Sequence, residues 1–201
     1  FLKSALSNMA QFCCDGSITY IFIDWRHIGQ LLGVAEPIYG EIKNLCVWNK
    51  GNGGMGSLYR SQHELVAVFK KGTAPHINNI DLGRHGRNRT NVWTYPGMSS
   101  LGKSRLDELS MHPTVKPVRL IADAFLDCSR RNGAVLDPFA GSGTVFIAAE
   151  QTGRIAYGIE IDPLYVDTAI RRWQRRSGQD AVNADTALTF QETAAQAHKE
   201  D

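Results

Sequence analysis

The stretch "VLDPFAGSGTVFIAAE", Val135 to Glu150, limits the fold more than any other part of the chain. An apolar run ends in Asp137, a turn with Gly141 and Gly143 follows, and apolar residues then recur at helical spacing, which predicts strand, tight turn and helix. Glycines in such a turn leave backbone N–H groups bare at a helix N-terminus, where an anion or a carboxylate can approach. The next apolar run, "IAYGIE", ends in Glu160, roughly 20 residues on, where an acid can accept hydrogen bonds from ribose hydroxyls. The pair predicts a nucleoside half-site on an α/β sheet. It departs from a dinucleotide fingerprint, because Phe146 takes the third small position of G-x-G-x-x-G, and no Lys follows the glycines as a phosphate loop requires.

After Glu160, Asp162 is placed to cap a helix and Pro163 to open it, with Tyr165, Ala169 and Trp173 on one face. Asp162-Pro163-Leu164-Tyr165 is therefore read as a helix start and not as a catalytic tetrad. "RRWQRR", Arg171 to Arg176, reads as a charged helix end that suits the negative pole of the helix dipole.

Around this centre the chain reads as a helix through Leu2, Leu6, Met9 and Ala10, a buried strand in "DGSITYIFID", and a helix from Arg26 to Ala35 stopped by Pro37. A hairpin of "NLCVWN" and "ELVAVFKKG" follows, around the glycine-rich tip "KGNGGMGSLYRSQH". Residues 73–111 carry no sustained periodicity and are too long for an ordinary connector, which points to a functional loop. A helix from Pro117 to Arg131 leads into the strands "AVLD", "IAYGIE" and "DAVNA", alternating with helices over 143–152 and 163–176. That series implies right-handed parallel crossovers. "QETAAQAHKED" reads as a frayed helix.

At 201 residues with 43% hydrophobic side chains, the chain suits a single α/β domain over 1–201. The 4 cysteines lack a C-x-x-C pair and read as reduced core residues, so no metal is expected. No apolar run reaches the roughly 20 residues that span a bilayer, which argues against a membrane protein. A net charge of +2 neither requires nor excludes nucleic acid. Its distribution is more telling: between Gly83 and Arg105 stand Arg84, Arg87, Arg89, Lys103 and Arg105, with no acid among them.

"MHPTVKP" (Met111 to Pro117), "LDPFAGSGT" (Leu136 to Thr144) and "GIEIDPLYVDTAIRR" (Gly158 to Arg172), in this order, closely resemble the carboxy-terminal half of the β-class DNA amino-methyltransferases. "IFIDWR" and the hairpin resemble that family's strand and hairpin beside the target-base pocket. The resemblance implies a cytoplasmic enzyme that moves a methyl group from S-adenosylmethionine to an exocyclic amino group of a flipped base in double-stranded DNA, adenine being favoured over cytosine. A homodimer is left open as its assembly. The implied fold is a Rossmann-like core, a mostly parallel sheet with an antiparallel hairpin.

By the same resemblance His112, Thr114 and Lys116 close the methionine end of the cofactor. Asp137, Phe139, Gly141, Ser142, Gly143 and Thr144 surround it, and Glu160 with Asp162 meets the ribose side. Arg84, Arg87, Arg89 and Arg105, with Trp93 and Tyr95 between them, would face DNA from the loop 73–111, the target-recognition segment. Trp48 would stack on the extruded base or serve as strand core, and Lys50 joins the DNA set. Arg60 would position DNA or form a salt-bridged start to the strand. No catalytic residue is expected within the chain. The family's Asp-Pro-Pro-Tyr-like tetrad belongs before Phe1, on a strand between Val135–Asp137 and Ile18–Asp24, so the chain by itself is expected to be inactive. Two rivals remain: a nicotinamide-dependent oxidoreductase, which leaves "HPTVKP" and the basic loop unexplained, and a non-catalytic DNA-binding relative.

Overall fold

The computed structural model describes residues 1–54, 56, 58–84, 88–97 and 115–200, the last four of these by backbone alone. The elements run α1 (Leu2–Gln11), β1 (Ile18–Ile23), α2 (Ile28–Tyr39), β2 (Gly40–Asn49), β3 (His63–Lys71), β4 (Val92–Thr94), α3 (Val118–Cys128), β5 (Ala134–Asp137), α4 (Thr144–Thr152), β6 (Ile155–Gly158), α5 (Pro163–Ser177) and α6 (Phe190–Glu200). The strands divide into a four-stranded sheet ordered β1-β3-β2-β4 and a pair β5-β6. β3 is antiparallel to both β1 and β2, which is the expected hairpin. β2 with β4, and β5 with β6, are parallel.

β3 shows why its sequence is a continuous apolar run rather than an alternating one. Ala67 and Phe69 face a cluster formed with Leu6 and Ala10 of α1 and Leu31, Ala35 and Tyr39 of α2. Val66 and Val68 face the opposite way, onto Cys46, Trp48, Trp93 and the α3 residues Leu120 and Ala124. From Val66 to Phe69 both faces of the strand are covered, which leaves no position there for a polar side chain. α1 and α2 thus cover one face of the sheet and α3 the other.

Three expectations need correction. α2 does not stop before Pro37 but continues to Tyr39. Proline removes one helical hydrogen bond, yet Ala35 and Tyr39 on either side of it are fully buried, and that packing holds the last turn. "DAVNA" is not a third strand: Val182 makes an isolated antiparallel bridge to Thr189. The Asn183 side chain accepts from the N–H groups of Asp185 and Thr186 and turns the chain back on itself. Nor are all cysteines core, since Cys14 is exposed.

Among the described residues, β1 pairs only with β3 and β5 only with β6, so each leaves one edge unpaired. Phe1 and Phe139 approach to 5.9 Å between ring centroids, and Lys116 Nζ sits 4.9 Å over the Phe22 ring.

Candidate cofactor cleft

β5 ends at Asp137, and the chain turns through Gly141 (φ 53°) and Gly143 (φ 77°) into α4. Both residues lie in the left-handed region, where glycine is favoured. A Cβ on Gly143 would also lie 2.6 Å from the Ala169 Cβ of α5, so its missing side chain lets α5 approach the turn. On the neighbouring strand a Cβ on Gly158 would lie 2.4 Å from the Phe146 ring. The aromatic that breaks the glycine fingerprint is thus accommodated by a bare position on β6.

Glu160 ties turn and strand together. Its Oε2 accepts from Gly141 N at 2.7 Å, while Oε1 accepts from Ile161 N at 2.9 Å and Asp162 N at 3.0 Å. Asp162 caps α5 through Leu164 N at 2.9 Å, with Pro163 in the first helical position as expected. Asp137 Oδ1 accepts from Phe139 N at 3.0 Å. Burial pushes the Asp137 carboxyl above the ordinary carboxylate range. The Phe139 N–H and the Lys116 charge draw it partly back, and Glu160 adds to the rise.

These groups line a cavity of about 260 Å³ whose walls include Lys116, Asp137, Phe139, Gly141, Glu160 and Tyr165. A larger cavity of about 380 Å³ lies behind β6 between α4 and α5, walled mainly by Phe146, Ala149, Ile170 and Trp173. Its lining also includes Glu150, Arg154 and Glu160, the last shared with the smaller cavity. The smaller one carries the charged and polar groups that could orient a ligand.

Ser142 and Thr144 also wall the smaller cavity, and their hydroxyls tie the turn to its neighbours. Thr144 Oγ1 donates to Lys116 O at 3.3 Å, and Ser142 Oγ accepts from Arg172 Nη1 at 2.7 Å. Arg172, within the charged helix end, also donates to Ser142 O at 2.5 Å and is buried. The signal was present: Arg172 lies three residues after Ala169, on the apolar stripe of α5. Tyr165, read as helix packing, lines the cleft. His112 and Thr114 lie outside the described residues.

The profile of the DNA methylase family matches residues 1–171. The chain belongs to that family. This DNA methylase chain is 28% identical over 179 residues to the type II methyltransferase M.HpaI of Haemophilus parainfluenzae, a match covering 82% of the chain and 56% of M.HpaI. It is 36% identical over 112 residues to the DNA adenine methyltransferase YhdJ of Escherichia coli K12, covering 56% of the chain and 34% of YhdJ. The chain thus spans about half or less of the length of these relatives. Among solved structures, an M1.HpyAVI–SAM complex aligns with a TM-score of 0.66 and 23% identity, covering 86% of this chain and 82% of that one. That likeness fixes the fold as Rossmann-like.

Several residues expected against DNA in this methylase chain have other partners. Trp48 is core: it is 3% exposed, its Nε1 donates to Tyr95 O at 2.9 Å, and its ring meets Phe22 edge-on. Arg89 is drawn inward, its Nε 2.6 Å from Asp127 Oδ2, its Nη1 donating to Tyr95 Oη at 3.1 Å and its guanidinium over the Trp93 ring. Tyr95 Oη in turn donates to Asp123 Oδ2 at 2.6 Å. Arg89, Trp93 and Tyr95 therefore clamp the middle of the loop to α3. Trp93 also stands on β4, a strand too short to show in the sequence. Lys50 pairs with Glu64 at 2.8 Å, and Arg60 closes the hairpin tip on Gly53 O and Gly54 O, both at 2.8 Å. Arg84 is exposed. Arg87 and Arg105 lie outside the described residues.

Proposed function

We propose that this chain is the cofactor-binding and DNA-facing part of a site-specific DNA amino-methyltransferase that uses S-adenosylmethionine. The observation that carries the reading is the cleft itself, where a glycine turn, Asp137, Lys116 and Glu160 converge. Its donor set suits that cofactor. The Glu160 carboxylate can accept from the ribose diol, Asp137 can meet the methionine ammonium, Lys116 its carboxylate, and Phe139 and Tyr165 offer apolar walls. When bound, the cofactor supplies an electrophilic methyl group on sulfur. The chain's own residues fix the turn through Glu160 and Arg172 and hold the cleft open beside the β5 edge. Double-stranded DNA is the proposed substrate, with an adenine amino group as target in keeping with the name of YhdJ, residues 73–111 as recognition segment and the cytoplasm as location. No helix among the described residues is long and apolar enough to cross a membrane.

The raised pKa of Asp137 gives a pH test. This carboxyl ionises only above the ordinary carboxylate range, so affinity for the cofactor ammonium falls as pH falls through that raised value. Linkage has the opposite sense for folding. A group that holds its proton more tightly when folded favours the folded state most in acid, and that contribution is lost as pH rises through the folded value. S-adenosylmethionine titrations from about pH 4 to about pH 8 should show the fall in the parent chain. Asp137→Asn should bind more weakly at neutral pH and lose the dependence. An unchanged pH profile in Asp137→Asn would remove Asp137 from the ammonium site.

A further inference from the structure

We propose that Trp25 and Arg26, at the carboxyl end of β1, form a stacking platform for an unstacked DNA base. The sequence changes abruptly here, from the apolar "ITYIFI" of β1 to Asp24, Trp25, Arg26 and His27. Trp25 is 51% exposed, and the Arg26 guanidinium lies 4.9 Å over its ring. Large aromatics are usually among the more buried side chains, so a half-exposed tryptophan held in one place asks for a partner.

Asp24 holds it there. Its Oδ1 accepts from Arg26 N at 2.8 Å, its Oδ2 lies 2.6 Å from His27 Nδ1, and its carbonyl accepts from His27 N at 3.2 Å. The carboxylate thereby closes a tight turn that fixes the backbone on both sides of the indole before any ligand arrives. A preformed aromatic surface loses less conformational entropy on binding than a mobile one. An exposed indole with a guanidinium beside it offers a π-face for a base and a cation for the adjoining phosphate, the pairing used by proteins that hold single strands.

Its position gives the platform a use. Phe22, three residues before Trp25, lies under Lys116 Nζ, and Lys116 lines the cofactor cleft. Phe22 also meets the core residue Trp48. The aromatic series thus runs from the interior, past the cleft, to the exposed Trp25. Trp25 is thus three residues along the chain from a side chain that touches a wall of the cleft, and it offers an extruded base a stacking surface. Trp48 is strand core with an enclosed ring, which leaves Trp25 as the exposed indole of this part of the chain.

The inference rests on the DNA-facing reading above, and one experiment separates the two. Binding of a fluorescein-labelled oligodeoxyadenylate single strand, and of the same strand paired with oligodeoxythymidylate, is followed by fluorescence anisotropy. The variants are Trp25→Ala, Trp25→Phe and Arg26→Ala, with S-adenosylmethionine affinity as a check on the fold. Trp25→Ala should weaken single-strand binding about tenfold. Trp25→Phe should restore most of it, and duplex binding should change far less. Arg26→Ala should lower the magnitude of the single-strand salt slope by about 0.7, one phosphate contact. Cofactor affinity should be unchanged throughout. Single-strand binding by Trp25→Ala equal to that of the parent chain, in a chain that still binds duplex, overturns the platform alone. Absence of binding to either DNA by the parent chain overturns the DNA-facing reading and the platform with it.

Discussion

No methyl transfer to DNA is expected from residues 1–201 alone, and transfer is expected once a segment carrying an Asp-Pro-Pro-Tyr-like tetrad is joined upstream. An exocyclic amine is a weak nucleophile because its lone pair is delocalised into the ring. Catalysis therefore needs acceptors that bind its hydrogens and turn the lone pair toward the methyl group. The one sequence that imitates the tetrad is otherwise engaged: Asp162 caps α5 and Tyr165 lines the cofactor cleft. Losing a single preorganised group of this kind costs about 10²–10³ in kcat, and losing the whole set should cost at least that. A segment joined upstream would have strand edges to pair with: among the described residues β1 and β5 each leave one edge unpaired. Unpaired edges are costly and prone to pairing with other chains. The check is transfer of a labelled methyl group to DNA by the chain and by its extended form. Equal turnover by the two, abolished by Asp162→Ala, would make the α5 cap the catalytic motif and overturn the proposal.

The second large effect is expected at Glu160. Its two oxygens accept three backbone N–H groups, from Gly141, Ile161 and Asp162, so the carboxylate shapes the turn, and it lines the cleft. Glutamine keeps the size but turns an N–H₂ toward one of these donors and removes the charge. Hydrogen bonds to charged groups contribute about 1.5–3 kcal/mol each, and an unsatisfied buried donor adds its own cost. Glu160→Gln should therefore weaken S-adenosylmethionine binding by about 1–3 kcal/mol, roughly 5- to 150-fold. Calorimetric titration of both chains measures it, with urea unfolding of each run alongside to separate a loosened turn from a lost ligand contact. Unchanged affinity would detach Glu160 from the site.

The cofactor turn was legible in the sequence because its determinants are local. Glycines with left-handed backbone, an acid at a strand end and an Asp-Pro helix start act within a few residues of themselves. α2 beyond Pro37, the Asn183 turn in place of a strand, and the short β4 were not legible, since tertiary packing or a single side-chain hydrogen bond decided each. The DNA-facing set suffered most. Arg89 looked like one of several loop arginines until Asp127 and Tyr95 were seen beside it, and the burial of Trp48 at the end of an apolar strand settled which of its two readings holds. Arg172 was hidden in a run of like charges, with only its place on the apolar stripe of α5 to set it apart.

The central claim is that the turn after Asp137, with Glu160, binds S-adenosylmethionine. Its most direct test is a pair of equilibrium titrations of the chain at neutral pH, one with S-adenosylmethionine and one with NAD. Saturable one-site binding of S-adenosylmethionine, with no comparable uptake of NAD, is the predicted result; binding of NAD without S-adenosylmethionine would contradict it.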